Sequence, residues 1–195
     1  MTTRKEQAER SRAHLVDTAL RLFVEQGYEA TPVSQILDEA GMARGALYHH
    51  FPEGKRQLFV DVVDVVDHQL HEGFEEIAAT IDSPTAQMAA GFELLLRLAA
   101  DRTFARIILI EASAVMPGAW TAGSEFVLLR DALQRAVDAG ELRPLPLDAA
   151  TSSIYGAARR AADFVARADD PDAAAADCLQ VLLALLDGLR PPSSP

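Results

Sequence analysis

Residues that could do chemistry are concentrated between Thr31 and Lys55, where the sequence reads TPVSQILDEAGMARGALYHHFPEGK. Apolar residues recur there at the spacing of two short helices, and Gly41 between them allows a sharp turn without a steric penalty. The apolar positions that would form the inner face are Ile36, Leu37, Ala40, Met42, Leu47 and Phe51. Small residues at the start of the second helix would let its backbone approach a DNA major groove, which is about 12 Å wide. This order of apolar-periodic segment, turn glycine and second segment with small residues at its start therefore predicts a helix-turn-helix that reads double-stranded DNA.

These residues and those before them resemble the TetR family of bacterial transcriptional regulators. The similarity begins with Ser11-Arg12 and continues through the amphipathic run Leu15, Ala19, Leu22 and Phe23, the stretch QGYEATPV at 26–33, and on to about Phe59. It covers the first third of the chain. Two features depart from the family pattern. Leu37 stands where a small alanine is usual, and the stretch from Phe51 to Lys55 is one residue longer than Phe-x-Ser-Lys.

The resemblance implies an all-α fold of nine helices. Its helix-turn-helix DNA-binding domain would span residues 1–54 and its ligand-binding and dimerisation domain 55–190, followed by a disordered tail at 191–195. The residues favour the same fold class, because helix stops, and N-caps followed by proline, separate segments of helical periodicity. These signals predict helices near 6–26, 33–40, 44–50, 55–80, 85–100, 103–114, 120–139, 147–168 and 172–189. No segment has the pattern of a strand.

Position in the motif identifies the residues expected to contact DNA. Arg44 can reach a guanine edge, while Thr31 can cap the second helix and donate to a phosphate. The full set of expected contacts is Arg12, Thr31, Arg44, Gly45, Ala46, Tyr48, His49 and Lys55. A symmetric dimer of such heads would read a palindromic operator, so a homodimeric repressor is the expected form.

Charge is distributed unevenly along the chain. The net charge is −11 over 195 residues, yet residues 1–56 contain eight basic and eight acidic residues, so the whole excess lies beyond them. A neutral head can place cations on phosphates, while an acidic body discourages nonspecific binding to nucleic acid. The charged N-terminus and the absence of an apolar run of about 18 residues predict a cytoplasmic protein without a membrane partner. The single cysteine, Cys178, fits a reducing compartment.

Bulky apolar residues with a few polar ones among them predict a cavity for a small molecule in the second domain. The residues expected to line it are Phe92, Phe104, Ile108, Glu111, Met116, Trp120, Phe126, Tyr155 and Arg159. Core packing is the alternative role for each of them. The favoured function is a repressor released by a small, largely apolar effector. The alternative is a DNA-binding regulator whose second domain binds a protein partner.

The last two predicted helices carry small and aliphatic residues that permit close helix approach. Paired with the same helices of a second chain, they would form a four-helix interface. The predicted interface residues are Ile154, Ala158, Ala161, Cys178, Leu182 and Leu185. An intramolecular hairpin packed on the body is the alternative.

No catalytic constellation is recognisable. The sequence has no glycine-rich phosphate loop, no nucleophile elbow and no spaced nucleophile and base, so neither an enzyme nor a cofactor is predicted. His68 and His71 lie near Asp64, Asp67 and Glu75 on the predicted fourth helix, but no third His or Cys is positioned beside them. The sequence therefore predicts no metal site.

Overall fold

The computed structural model of this chain describes residues 3–116 and 124–192, and every regular element in those residues is a helix. The nine helices are α1 Arg4–Gln26, α2 Val33–Glu39, α3 Arg44–His50, α4 Lys55–Thr80, α5 Pro84–Ala100, α6 at 102–115, α7 Ser124–Asp138, α8 Leu147–Val165 and α9 Pro171–Asp187. This confirms the predicted all-α architecture. The predicted start of the seventh helix at residue 120 and the tail residues 193–195 lie outside the described residues.

Side chains form N-cap hydrogen bonds at the starts of several helices. At the start of α1, Glu6 N donates to Thr3 Oγ1 at 3.2 Å while Thr3 N donates to Glu6 Oε2 at 2.9 Å. Ser83, Asp101 and Asp170 each accept from a backbone N–H three residues further on. These contacts satisfy N–H groups that have no partner within the helix. The capping residues therefore begin helices where local chemistry predicts them.

One helix departs from regular geometry. α6 is α-helical at Arg102–Phe104 and Ala112–Val115, but its middle part, Ala105–Glu111, is a π-helix with a wider turn. The sequence analysis predicted an ordinary α-helix over 103–114. The π-helical segment is therefore a feature of the tertiary structure that periodicity did not reveal.

An aromatic trio joins the head, defined as α1 to α3, to the helix that follows it. The ring centroids of Phe23 and Phe59 lie 5.5 Å apart, and those of Tyr28 and Phe59 lie 4.9 Å apart. Buried residues of the head and of α4 to α9 form one continuous apolar core. Movement of the body, defined as α5 to α9, can therefore reach the head through packed side chains. Among the described residues, no helix is both long and apolar enough to span a bilayer.

Candidate nucleic-acid interface and interior cavity

The third helix is held in place by a buried apolar face. Leu47 of α3 and Ile36 of α2 are both fully buried, and Leu37 is 5% exposed. Gly41 between the helices has a φ of +63°, a left-handed conformation that favours glycine. Met42 N donates to the Leu37 carbonyl at 2.9 Å. The unusual leucine at position 37 is therefore part of the packing that orients α3.

The opposite face of α3 is turned to solvent. Arg44, Gly45, Tyr48 and His49 are exposed, and Ala46 is half-buried. A Cβ atom on Gly45 would meet no protein atom within 4 Å. The tip of α3 can therefore approach another molecule closely, and five residues of the predicted DNA-contact set lie together on this surface.

Thr31 does not have its predicted role. Its side chain is fully buried, and its hydroxyl donates to the Gly27 carbonyl at 2.7 Å. The N-cap residue of α2 is Pro32, and no side chain caps that helix. The prediction that Thr31 caps α2 and donates to a phosphate is wrong, because its hydroxyl closes the turn between α1 and α2.

Two of the cations predicted to contact DNA, Lys55 and Arg12, contact other parts of the chain. The Lys55 ammonium lies 4.1 Å from the centroid of the Tyr28 ring, and burial lowers the pKa of Lys55. Arg12 forms an ion pair with Asp61 of α4, and its guanidinium carbon lies 5.2 Å from the centroid of the Phe51 ring. Both side chains therefore join the head to the start of α4 in this structure.

Charges elsewhere in the head are also paired internally. Arg21 bonds Glu39 and lies 3.4 Å from Glu25, which ties α1 to α2. The hydrogen bond from Arg21 lowers the pKa of Glu39. Burial, and then the charges of His49 and Arg12, lower the pKa of His50, which favours its neutral form.

A cavity of about 340 Å³ lies between α4, α5, α7 and α8. Leu70 and Phe74 of α4, Met88 and Phe92 of α5, and Leu129 of α7 contribute apolar wall. Polar wall comes from His71, Glu125, Tyr155 and Arg159, among others. A mostly apolar space with a few polar groups has the character of a small-molecule site.

Titratable groups meet at one part of this wall. His71 Nδ1 lies 3.0 Å from Asp67 Oδ2, and His71 Nε2 lies 3.8 Å from Glu125 Oε1. Burial raises the pKa of Asp67 to about 6. Burial also raises the pKa of the nearby Tyr155 hydroxyl. Burial therefore favours the protonated forms of Asp67 and Tyr155 at this part of the cavity.

Three of the nine residues predicted to line a cavity, Phe92, Tyr155 and Arg159, lie in its wall. The prediction fails for Phe104 and Ile108, which are 1% exposed and belong to the apolar core. They are core residues because α6 packs its buried face against α1, α4 and α5.

Three other predicted lining residues are not in the described wall of the cavity, and a fourth lies outside the described residues. Glu111 pairs with Arg106 at 2.9 Å, on the side of α6 that faces the head. Met116 packs on the core outside the described wall of the cavity. Phe126 packs on Tyr155 with ring centroids 5.7 Å apart in a T-shaped arrangement, and it is not in the described wall. Trp120 lies outside the described residues.

None of the nine predicted lining residues comes from α4, and the one from the described part of α7, Phe126, is not in the described wall. The spacing of Leu70 and Phe74 was visible, but it is equally typical of a core helix. Nothing in the local sequence indicates that Glu125 comes close to His71, because the two residues are far apart in the chain and meet only through helix packing.

A hydrogen bond connects the cavity wall to α6. Arg159 Nη2 of α8 donates to Ser113 Oγ at 3.0 Å, and Ser113 Oγ donates to the Leu109 carbonyl at 3.0 Å. Two residues before Ser113, Glu111 pairs with Arg106, and both side chains lie against the backbone of Gly27 in the head. The helix with the π-helical segment therefore contacts both the cavity wall and the head.

The outer surface of α8 and α9 carries large exposed apolar side chains. Phe164 is 59% exposed, Val181 is 60% exposed and Leu185 is 53% exposed. Leu182 and Ala158, in contrast, are 3% and 6% exposed and pack inside the chain. The prediction that Leu182 and Ala158 form a dimer interface is wrong for this reason. Ile154, Ala161 and Cys178 are half-buried.

Comparison with known proteins gives matches over most of the chain. Residues 15–62 match the sequence profile described as "Bacterial regulatory proteins, tetR family", and residues 85–189 match "Tetracyclin repressor-like, C-terminal domain". The HTH-type transcriptional regulator SrpR of Pseudomonas putida is 30% identical over 151 residues, which cover 75% of this chain and 70% of SrpR.

Two further comparisons extend this similarity. The crystal structure of a TetR-family transcriptional regulator from Pectobacterium atrosepticum is 29% identical, covers 99% of both chains and has a TM-score of 0.78. YxaF of Bacillus subtilis, an uncharacterised HTH-type transcriptional regulator, is 38% identical over 77 residues, or 37% of this chain. That match spans 40% of the length of YxaF.

Proposed function

Because this chain belongs to the TetR family of bacterial regulatory proteins, we propose that it is a homodimeric DNA-binding repressor released by a small, largely apolar effector. The exposed small-residue face of α3 is the observation that carries the DNA-binding part. The cavity between α4, α5, α7 and α8 carries the effector part.

Base recognition is assigned to Arg44 and the residues beside it. Arg44 stands at the first position of α3, where a helix entering the major groove meets base edges. Gly45 adds no side chain that would hold the backbone away from the groove. Tyr48 and His49 follow on the same exposed surface and can donate to phosphates.

DNA binding can be tested by selecting fragments of a random-sequence library on the purified protein and measuring the affinity of variants for the enriched sequence. Arg44→Ala should weaken binding by about 1–3 kcal/mol and relax base preference at one position. Gly45→Leu should abolish specific binding while leaving the fold intact, since nothing in the protein occupies the space of the new side chain. Arg97→Ala, an exposed arginine on α5, is the matched control. Unchanged affinity and preference in Arg44→Ala would exclude α3 as the reading helix.

The cavity favours a guest with a large apolar part. Its volume and its Leu, Phe and Met wall suit such a molecule, and the polar groups around His71 and Arg159 can orient one end of it. A guest that prefers the released conformation about 100-fold provides about 2.7 kcal/mol of coupling.

Effector binding can be tested with a metabolite library, by measuring the shift in melting temperature and the release of the selected DNA. Leu129→Trp should fill part of the cavity and remove the response to a hit without weakening DNA binding. Val127→Trp on the same helix is the control, because Val127 is 55% exposed and lies outside the described wall. A hit that still releases DNA from Leu129→Trp would place its site elsewhere.

The route from cavity to head is assigned to α6. Displacement of Arg159 by a guest would act on Ser113, and α6 would transmit that movement to the Arg106–Glu111 pair against Gly27. A shift of a helix between two packed positions is a common way for an effector site to control a distant surface.

A further inference from the structure

A second kind of site lies where α4 meets α7. Asp67 and His71 are one helical turn apart on α4 and both face Glu125 of α7. One donor atom from each of the three residues lies within 4.8 Å of the other two. All three side chains are partly withdrawn from solvent, with Asp67 and Glu125 each 15% exposed.

One carboxylate oxygen of this cluster lies in an unfavourable environment. Asp67 Oδ1 is inaccessible to solvent and, within the described part of the chain, makes no hydrogen bond. A buried oxygen without a partner is unfavourable, and here a second carboxylate, Glu125, lies nearby. A positive charge placed among these oxygens would give Asp67 Oδ1 a partner and would offset the repulsion between the two carboxylates.

We propose that Asp67, His71 and Glu125 form a binding site for a divalent transition-metal ion such as Zn²⁺. The ion would be bound by one imidazole nitrogen and an oxygen from each carboxylate, a mixed N and O set that suits such ions. Donor atoms of a tetrahedral zinc site lie roughly 3.4 Å apart, given bonds of about 2.0–2.2 Å. One donor atom from each residue lies within 4.8 Å of the other two, so small side-chain rotations would bring the set to that spacing.

Three protein ligands leave a coordination position for water or for a guest. Since His71 and Glu125 also line the cavity, that position would be reached from the cavity. The site differs from the one considered from sequence, because His68 turns away from it and pairs with Glu72 at 3.1 Å. The prediction of no metal site considered α4 alone, and the third ligand comes from α7.

Metal binding can be measured directly, with no DNA or effector present. Protein stripped with EDTA is titrated with Co²⁺, followed by its visible absorption, and with Zn²⁺ by calorimetry. We expect one ion per protomer, an absorption band typical of cobalt bound by nitrogen and oxygen, and a higher melting temperature with Zn²⁺. His71→Ala should weaken binding at least about tenfold, as should the near-isosteric Asp67→Asn and Glu125→Gln.

His68→Ala is the matched control and should bind like the wild type. Circular dichroism and the metal-free melting temperature establish that each variant is folded. The proposal is overturned if the wild type shows no saturable binding, if His71→Ala binds as tightly as the wild type, or if His68→Ala loses binding equally. None of these outcomes affects the assignment of α3 to DNA, which is tested separately.

Discussion

The cations of the head and of the start of α4 differ in whether they contact other parts of the chain. Arg12, Arg21 and Lys55 contact Asp61, Glu39 and the Tyr28 ring, so they stabilise the head and its junction with α4. Arg44, in contrast, projects from the exposed face of α3. We therefore expect specific DNA recognition to be concentrated on Arg44 and its neighbours in α3.

Asp67 provides a prediction at the scale of one residue. Burial is the main cause of its pKa of about 6, with the charges of Glu125 and Asp64 acting in the same direction and that of His71 opposing them. Because this pKa is above the unfolded value of about 3.9, the folded state binds the proton more tightly. The contribution of Asp67 to stability is therefore present below about pH 4 and is lost as the pH rises through about 6.

Asp67→Asn should accordingly be more stable than the wild type at pH 8 in EDTA, by about 1–2 kcal/mol after allowance for solvent screening. The gain should disappear towards pH 4. Urea unfolding of both proteins across this range measures it. Glu76→Gln, an exposed carboxyl on the same helix, is the control. A gain that does not vary with pH would contradict the assigned cause.

At the scale of elements, α6 is the helix that touches both functional parts of the molecule. Its π-helical segment widens the turn that carries Arg106 and Glu111. π-helical segments are frequent at functional sites. Gly27, on which this pair packs, has a φ of +88°. The junction therefore depends on a residue without a side chain.

Gly27→Ala should destabilise the protein by roughly 1–2 kcal/mol, because a Cβ atom would strain the backbone, clash with Arg106 Nη2 and lie 2.7 Å from Glu111 Oε1. Gly41→Ala is the matched control, with a similar positive φ of +63° but no neighbouring atom within 4 Å of the added carbon. Chemical unfolding should show the larger loss at Gly27.

The excess loss at Gly27 should shrink when Arg106→Ala is added, giving a coupling of about 1 kcal/mol in a double-mutant cycle. Equal losses at the two glycines would mean that the ion pair moves aside without cost. The same variants, tested for DNA release, report whether this contact transmits the effector signal.

At the scale of the whole molecule, family membership confirms a regulator rather than an enzyme, since the family and its matched relatives are transcriptional regulators. The proposed dimer has its apolar surface on α8 and α9, where Phe164, Val181 and Leu185 are exposed. Three large apolar side chains on adjacent helices are typical of a protein–protein interface.

Leu185→Glu should give folded monomers, because dimerisation would place the new charge in an apolar interface at a cost of several kcal/mol. Light scattering at micromolar concentration, without DNA, measures the mass. Val65→Glu, at a residue of α4 that is 50% exposed, should remain dimeric. Leu182→Ala should instead lower stability by about 2–5 kcal/mol, as expected for a core residue. A wild type that is monomeric under these conditions would contradict the dimer.

Much of the fold follows from local signals in the sequence. The positions of Ser83, Asp101 and Asp170 mark helix starts because capping chemistry acts within a few residues. The helix-turn-helix is equally local, since Gly41 and the apolar spacing around Leu47 determine which face of α3 is buried. For this reason the exposed positions of Arg44, Gly45, Tyr48 and His49 were predictable.

Only the tertiary structure decided which side chains meet across helices. Thr31, Phe104 and Leu182 have residue types that suit both a site and a core, and their burial depends on neighbours far away in the sequence. The cluster of Asp67, His71 and Glu125 could not be predicted for the same reason, because Glu125 comes close to the other two residues only when α4 and α7 pack together. Helix periodicity specifies a face, whereas a cavity or a metal site needs the relative rotation and distance of several helices, which long-range packing alone determines.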